Sequence, residues 1–180
     1  MDLSISMVER FLYALANAKG GKTMDLLEHC YVPLVRTYMV KERLLPYGKE
    51  EVCSPKKVVA LVKRLLMNVD REYFIVISVD AKSKPVGVEI VSIGTVNATL
   101  VQAREVFKHA ILCNATGIIM LHNHPSGSTN PSEEDWKVTR RMQRAGQILG
   151  VDVIDHIIVG DDNEYRSLAE EENYNADECK

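Results

Sequence analysis

The sequence lacks the features that define membrane and secreted proteins. It contains no apolar run of the roughly 20 residues that a bilayer crossing needs. Its N-terminal segment, MDLSISMVERFLYALANAKGG, lacks the basic start and the small-residue cleavage site of a signal peptide. The four cysteines form no CxxC pair and no disulfide framework: Cys30, Cys53, Cys113 and Cys179. We therefore expect a cytoplasmic protein in a reducing compartment, with no membrane partner.

The sequence also lacks an excess of positive charge and any internal repeat. Its 22 Lys and Arg residues face 25 Asp and Glu residues, which gives a formal net charge of −3. This balance argues against a general affinity for nucleic acid. With 180 residues, of which 46% are hydrophobic and 26% charged, the chain is typical of one globular domain with at most a small appendage.

We divide the chain into three parts. Residues 1–50 are predicted to form a short N-terminal helical appendage, because apolar residues recur at helical spacing until Gly20 and Gly21. Residues 51–170 are predicted to form the main domain, and residues 171–180 an acidic tail.

The main domain alternates helices with apolar strands. Ser54 and Pro55 indicate the start of a helix, and a second, long helix is predicted from Ser132 to Gly150. Other predicted elements are strands at 72–80, 86–96, 116–121 and 151–160, and a helix at about 99–113. The order α-β-β-α-β-α-β predicts an α/β fold with three layers, in which helices cover both faces of a mixed sheet.

The segment HNHPSGSTNPSEED contains the residues that suggest chemistry. His122 and His124 follow a buried strand at positions i and i+2, so both imidazoles point the same way. Asp135 lies three residues into the next helix. Two imidazoles, a carboxylate and a fourth position left for water are typical of a catalytic zinc site.

Each of these residues also has a simpler interpretation. The two histidines could hydrogen-bond backbone groups within a turn. Ser132 and Asp135 could form only a helix cap, in which Asp135 is stabilised by the helix dipole. For His156, which lies on the last predicted strand, a buried core histidine is favoured over a role beside the metal.

The motif resembles a known signature. The pattern HxHP followed by SxxD, formed by His122, His124, Ser132 and Asp135, resembles that of JAB/MPN-type (JAMM) metalloproteases. The surrounding HNHPSG, VNATLVQAREVFKHAILCNATGIIML and DHIIVG resemble the RadC family over residues 54–168. The resemblance implies a JAB/MPN domain, cytidine-deaminase-like in architecture, that uses Zn²⁺ to hydrolyse a peptide or isopeptide bond.

The JAMM pattern also includes a glutamate ahead of the first core strand, and Glu72 occupies that position. Glu105 is the competing candidate, although its place at a helix start has a dipole explanation. The resemblance implies that His122, His124 and Asp135 bind Zn²⁺. It further implies that Glu72 is the general base, and that Ser132 donates a hydrogen bond to the oxyanion.

Two other functions compete with this hypothesis. Zinc deaminases need H-x-E and P-C-x-x-C around the metal; the sequence has neither, so deaminase chemistry is excluded. The second function is a non-catalytic module in DNA repair or DNA metabolism, which the family resemblance suggests. RadC-like proteins often have an N-terminal helix-hairpin-helix domain, and the first 50 residues lack its glycine hairpin. We expect a protein or peptide substrate, and the sequence leaves its identity and the oligomeric state open.

Overall fold

A computed structural model describes residues 32–46, 52, 54–66, 69–94, 101–161 and 164–171. The helical pattern that ends at Gly20 and Gly21 lies outside these ranges, as does the tail from residue 172 onward. The chain divides into two compact units, Met1–Thr37 and Tyr38–Lys180. In the first unit, residues 32–37 are described, and they are exposed without helix or strand. The division into residues 1–50, 51–170 and 171–180 stays a prediction.

The second unit is built on one mixed five-stranded sheet. Its strands are β1 (Tyr73–Val79), β2 (Pro85–Ile93), β3 (Gly117–Asn123), β4 (Asp152–Val159) and β5 (Tyr165–Ser167). They lie in the order β2-β1-β3-β4-β5. β3 and β4 are parallel, while the other neighbouring strands are antiparallel. The predicted α/β fold with a mixed sheet is therefore confirmed.

Helices cover the two faces of this sheet. They are α1 (Pro55–Val62), which continues as a 3-10 turn over Lys63–Leu65, α2 (Ala103–Leu112) and α3 (Glu133–Leu149). In the described ranges, no helix has both the length and the apolar character needed to cross a membrane.

Alternate residues of each strand supply two separate cores. One core packs side chains of α2 and α3, such as Phe107 and Met142, against Phe74 of β1 and Met120 of β3. The other packs α1 against the opposite side of the same strands, including Ile75. This alternation follows from the two-residue period of a strand, and it gives the three predicted layers.

Helix α3 begins and ends where the local sequence predicts. Ser132 is the N-cap, and its side chain accepts a hydrogen bond from the backbone N–H of Asp135. The side chain of Asp135 accepts in return from the backbone N–H of Ser132, which completes a capping box. Gly150 ends the helix with φ of 69°, a left-handed conformation that favours glycine. The start of α3 thus lies at a fixed position beside the end of β3.

Candidate metal centre

The two motif histidines lie at the end of the central strand β3. His122 is its second-last residue and is 1% exposed, while His124 follows the strand and remains 18% exposed. The backbone N–H of His124 donates to the carbonyl of Val159 on β4, which extends the parallel pairing beyond the strand. The two Nε2 atoms lie 3.0 Å apart. The structure therefore brings both imidazoles to one point, as their spacing predicts.

Asp135 reaches the same point from helix α3. Its Oδ1 lies 3.3 Å from Nε2 of His122, and its Oδ2 lies 3.6 Å from Nε2 of His124. Oδ2 also accepts from Ser132, at 2.6 Å from the hydroxyl and 2.7 Å from the backbone N–H. The helix-cap interpretation and the metal-ligand interpretation of Asp135 thus describe the same side chain, because the cap orients the carboxylate toward the histidines.

The environment keeps Asp135 ionised. Burial of the carboxyl raises its pKa, but the neighbouring His122 imidazole and the two hydrogen bonds from Ser132 outweigh burial. The net effect is a lowered pKa. An ionised, oriented carboxylate is the form that binds a metal ion.

Of the two candidate glutamates, the structure brings Glu72 to the histidines. Glu72 precedes β1, its side chain is 14% exposed, and its Oε1 lies 3.9 Å from Nε2 of His122. Ligand atoms of Glu72, His122 and His124 all lie within 4.8 Å of one another. Glu105 lies in the first turn of α2, where its carboxylate forms ion pairs with Lys108 and Arg104.

Asn123, the residue between the two histidines, holds the segment that carries Glu72. Its side-chain oxygen accepts a hydrogen bond of 2.8 Å from the backbone N–H of Tyr73. Its side-chain nitrogen donates to the carbonyl of Arg71 at 3.2 Å. On the other side, the backbone N–H of Gly94 donates to the carbonyl of Glu72. This role was not predicted from the sequence, although the position of Asn123 inside the motif is a signal that could have suggested it.

His156 is both a core histidine and a neighbour of the site. Its ring is buried within the sheet, as the favoured interpretation predicts, and burial lowers its pKa well below the usual value. However, its Nε2 also lies 2.9 Å from Nδ1 of His122. The two interpretations of His156 are therefore compatible.

The donor set fits a metal ion. Nδ1 of His124 lies 2.8 Å from the carbonyl of Ser128, which can only accept, so in the neutral ring Nδ1 carries the proton and Nε2 presents a lone pair. Ligands about 2.0–2.2 Å from a tetrahedral Zn²⁺ lie roughly 3.3–3.6 Å apart. The separations among His122, His124 and Asp135 run from 3.0 to 3.6 Å. Nitrogen and carboxylate donors suit several divalent ions, so these residues could bind a metal without fixing its identity.

A comparison with protein families matches most of the chain. A family model described as RadC, the RadC-like JAB domain, matches residues 52–174. This range contains the whole described sheet and all the candidate ligands.

Individual relatives agree with that match. A protein of Methanosarcina acetivorans named UPF0758 protein is 46% identical over 172 residues, covering 94% of this chain and 71% of the relative. Another UPF0758 protein, from Desulfitobacterium hafniense, is 46% identical over 125 residues, covering 69% of this chain and 55% of the relative. A third, from Rubrobacter xylanophilus, is 42% identical over 114 residues, which are 63% of this chain and 50% of the relative. The matched segment spans about half the length of the last two, and none of the three names states an activity.

Proposed function

Because the chain belongs to the RadC family, we propose that it is a metal-dependent hydrolase of amide bonds, a JAMM-type metallopeptidase or isopeptidase with Zn²⁺ as its cofactor. The observation that carries this proposal is the convergence of His122, His124 and Asp135 with Glu72 at one end of β3. Two histidines and one carboxylate would hold the ion. Bound Zn²⁺ would supply a Lewis acid that lowers the pKa of water toward about 7 and polarises a carbonyl.

Glu72 is the general base in this proposal. Its carboxylate faces His122 from the β1 side, and Asp135 faces the same histidine from α3. Glu72 would accept a proton from the attacking water and deliver it to the leaving amine. The two hydrogen bonds between the Asn123 side chain and the backbone of Tyr73 and Arg71 would hold Glu72 in place for this transfer.

Ser132 is the oxyanion donor in this proposal. Its hydroxyl donates to Oδ2 of Asp135, and its backbone N–H donates to the same oxygen. When the hydroxyl turns toward a tetrahedral oxyanion, Asp135 therefore keeps the backbone donor and its orientation. A hydroxyl directed at developing negative charge stabilises the transition state.

We propose a protein or peptide substrate, since the candidate hydrolysis groups lie beside the partly exposed His124 and the exposed Pro125 and Ser126. We also propose a cytoplasmic location, in keeping with the free thiol of Cys113.

The decisive experiment measures metal content and hydrolysis in the same samples. Protein purified without chelators should contain close to one equivalent of zinc, and less than about half an equivalent would count against the site. His122→Ala should release the metal. Glu72→Gln should retain it and lower hydrolysis of a quenched-peptide set and an isopeptide-linked lysine substrate by about 10²–10⁴-fold.

Glu105→Gln is the matched control for Glu72→Gln. It makes the same chemical change at an exposed ion pair on α2, so both metal content and hydrolysis should stay at the wild-type level. The opposite result, with Glu105→Gln inactive and Glu72→Gln active, would assign the base to Glu105. Stoichiometric zinc without hydrolysis of any substrate would favour the non-catalytic module in DNA metabolism.

A further inference from the structure

A chain of buried hydrogen bonds leads from the backbone of α3 to the back of His122. The hydroxyl of Thr139 lies 2.7 Å from the carbonyl of Asp135, and 2.7 Å from Nδ1 of His156. Nε2 of His156 lies 2.9 Å from Nδ1 of His122. Thr139 is 3% exposed, and the two histidines are each 1% exposed.

The direction of each proton in this chain follows from the donors available. A carbonyl has no proton, so the single hydroxyl proton of Thr139 points to Asp135. The Thr139 oxygen must then accept from His156, which places a proton on Nδ1 of His156. A neutral imidazole protonated at Nδ1 has a lone pair at Nε2. Nε2 of His156 therefore accepts from His122, and the proton of His122 lies on Nδ1.

Burial makes the neutral form of His156 the relevant one. The ring lies in the core beneath Phe74, with a ring-centroid distance of 5.6 Å, and its described ring partners are a hydroxyl and another imidazole. A buried charge without a carboxylate partner is costly. A doubly protonated His156 would instead donate to His122 and force the proton of His122 onto Nε2, the atom that faces Asp135 and His124.

Asp135 lies at both ends of this chain of hydrogen bonds. The backbone carbonyl of Asp135 accepts from Thr139, and the carboxylate of the same residue lies 3.3 Å from Nε2 of His122. One turn of α3 thus contacts both ends of the chain. The ring of Phe74 also packs against His122, since the two rings are stacked with an interplanar angle of 9°.

We propose that Thr139 and His156 are positioning residues that lock His122 in the Nδ1–H tautomer and so direct the Nε2 lone pair at the metal. The proposal rests on the metal site of the proposed function, but not on catalytic turnover. Loss of such an outer hydrogen-bond partner typically lowers metal affinity about 10–100-fold.

The test compares three threonine variants of the full chain. Thr139→Val keeps the shape of the side chain but removes the hydroxyl, so zinc affinity, measured by competition with a fluorescent chelator, should fall about 10–100-fold. Thr139→Ser restores a hydroxyl and should recover most of the affinity. Thr116→Val makes the same change at the other end of β3 and should leave zinc affinity unchanged. Circular dichroism checks that each variant is folded.

A second measurement reads the tautomer without any metal. Nitrogen-15 NMR of the chelator-treated protein should show the proton of His122 on Nδ1, and Thr139→Val should shift the population toward Nε2–H. His156→Gln offers a further check, because its side-chain oxygen can accept from His122 and its nitrogen can donate to Thr139. It should therefore retain more affinity than His156→Leu.

The outcomes separate this inference from the proposed function. Wild-type zinc affinity and an unchanged His122 tautomer in Thr139→Val would overturn the inference, even if the protein is an active hydrolase. A wild-type protein that binds no zinc, yet has His122 in the Nδ1–H form, would contradict the proposed function. It would still support the proposal that Thr139 and His156 fix the tautomer of His122.

Discussion

The side-chain oxygen of Asn123 accepts a hydrogen bond of 2.8 Å from the backbone N–H of Tyr73, the residue after Glu72. The Asn123 nitrogen donates to Arg71, the residue before Glu72. A single side chain between the two metal-ligand candidates thus fixes the backbone on both sides of the candidate base. The motif HNH therefore contains two candidate ligands together with the residue that holds the segment of the candidate base.

Replacement of Asn123 should separate metal binding from hydrolysis. Asn123→Ala should retain zinc, since the ligands are untouched, while hydrolysis falls on the order of 10²-fold because a displacement of about 1 Å has effects of that size. Leaving the Tyr73 and Arg71 backbone groups unpaired should also lower the free energy of unfolding by about 1–3 kcal/mol. Asn130→Ala in the exposed loop is the control. Equal loss of zinc and activity would mean that Asn123 supports the histidines instead.

Metal removal should lower the thermal stability of the wild-type protein. A ligand present at 100 times its Kd stabilises the folded state by about 2.7 kcal/mol. For a chain of this length, each kcal/mol moves Tm by about 2–4 °C, so stripping zinc should lower Tm by roughly 5–10 °C. Differential scanning calorimetry with and without a chelator measures this shift. His122→Ala should show no response to the chelator; an equal response would place the stabilising metal elsewhere.

Local sequence signals were enough to predict the elements that frame the site. Ser132 and Gly150 bound helix α3 because a capping side chain and a left-handed glycine act over a few residues. The apolar strands β1 and β3 were predicted for a similar reason, since their composition is typical of burial on both faces, and β4 is buried in the same way over its second half. Strand β5 was missed: it has three residues, and it depends on pairing with β4 rather than on its own pattern.

The supporting contacts of the site depend on strand register, which a single sequence does not encode locally. Met120 pairs with His156 in the parallel ladder, so His156 lies on the same face of the sheet as His122. Similarly, Asn123 reaches Tyr73 because β1 and β3 are antiparallel neighbours in one particular register. The metal-ligand candidates follow from spacing within one segment, whereas His156 and Glu72, which lie beside His122, come from distant segments. The roles of Glu72 and Ser132 stay predictions.

The half-buried His109 should make the folded protein less stable in mild acid. Burial lowers the pKa of His109, and the negative charge of Glu89 opposes this effect only in part. The ring contacts Ser78 and Cys113. Because its folded pKa lies below the unfolded value near 6.5, the unfolded chain binds more protons, and stability falls as the pH drops through that range.

Urea unfolding of chelator-treated protein between pH 8 and pH 5 measures this effect. His109→Gln should show a smaller loss of unfolding free energy than the wild type over this interval. Glu89→Gln removes the charge that raises the pKa of His109. The unfolding free energy of this variant should therefore fall more than that of the wild type over the same interval. Parallel curves for the wild type and His109→Gln would contradict the assignment.

Gly146 allows the end of helix α3 to pack against the chain that enters β4. A Cβ atom at this position would lie 2.4 Å from the backbone carbonyl of Val151 and 3.4 Å from the ring of Phe107. Alanine in place of glycine usually stabilises a helix by about 0.5–1 kcal/mol, but forcing atoms into a packed site costs about 1–3 kcal/mol. Gly146→Ala should therefore lower the urea midpoint, whereas Gln147→Ala on the exposed side of the same helix should leave it nearly unchanged. A higher midpoint for Gly146→Ala would show that the helix end can move away from Val151 at little cost.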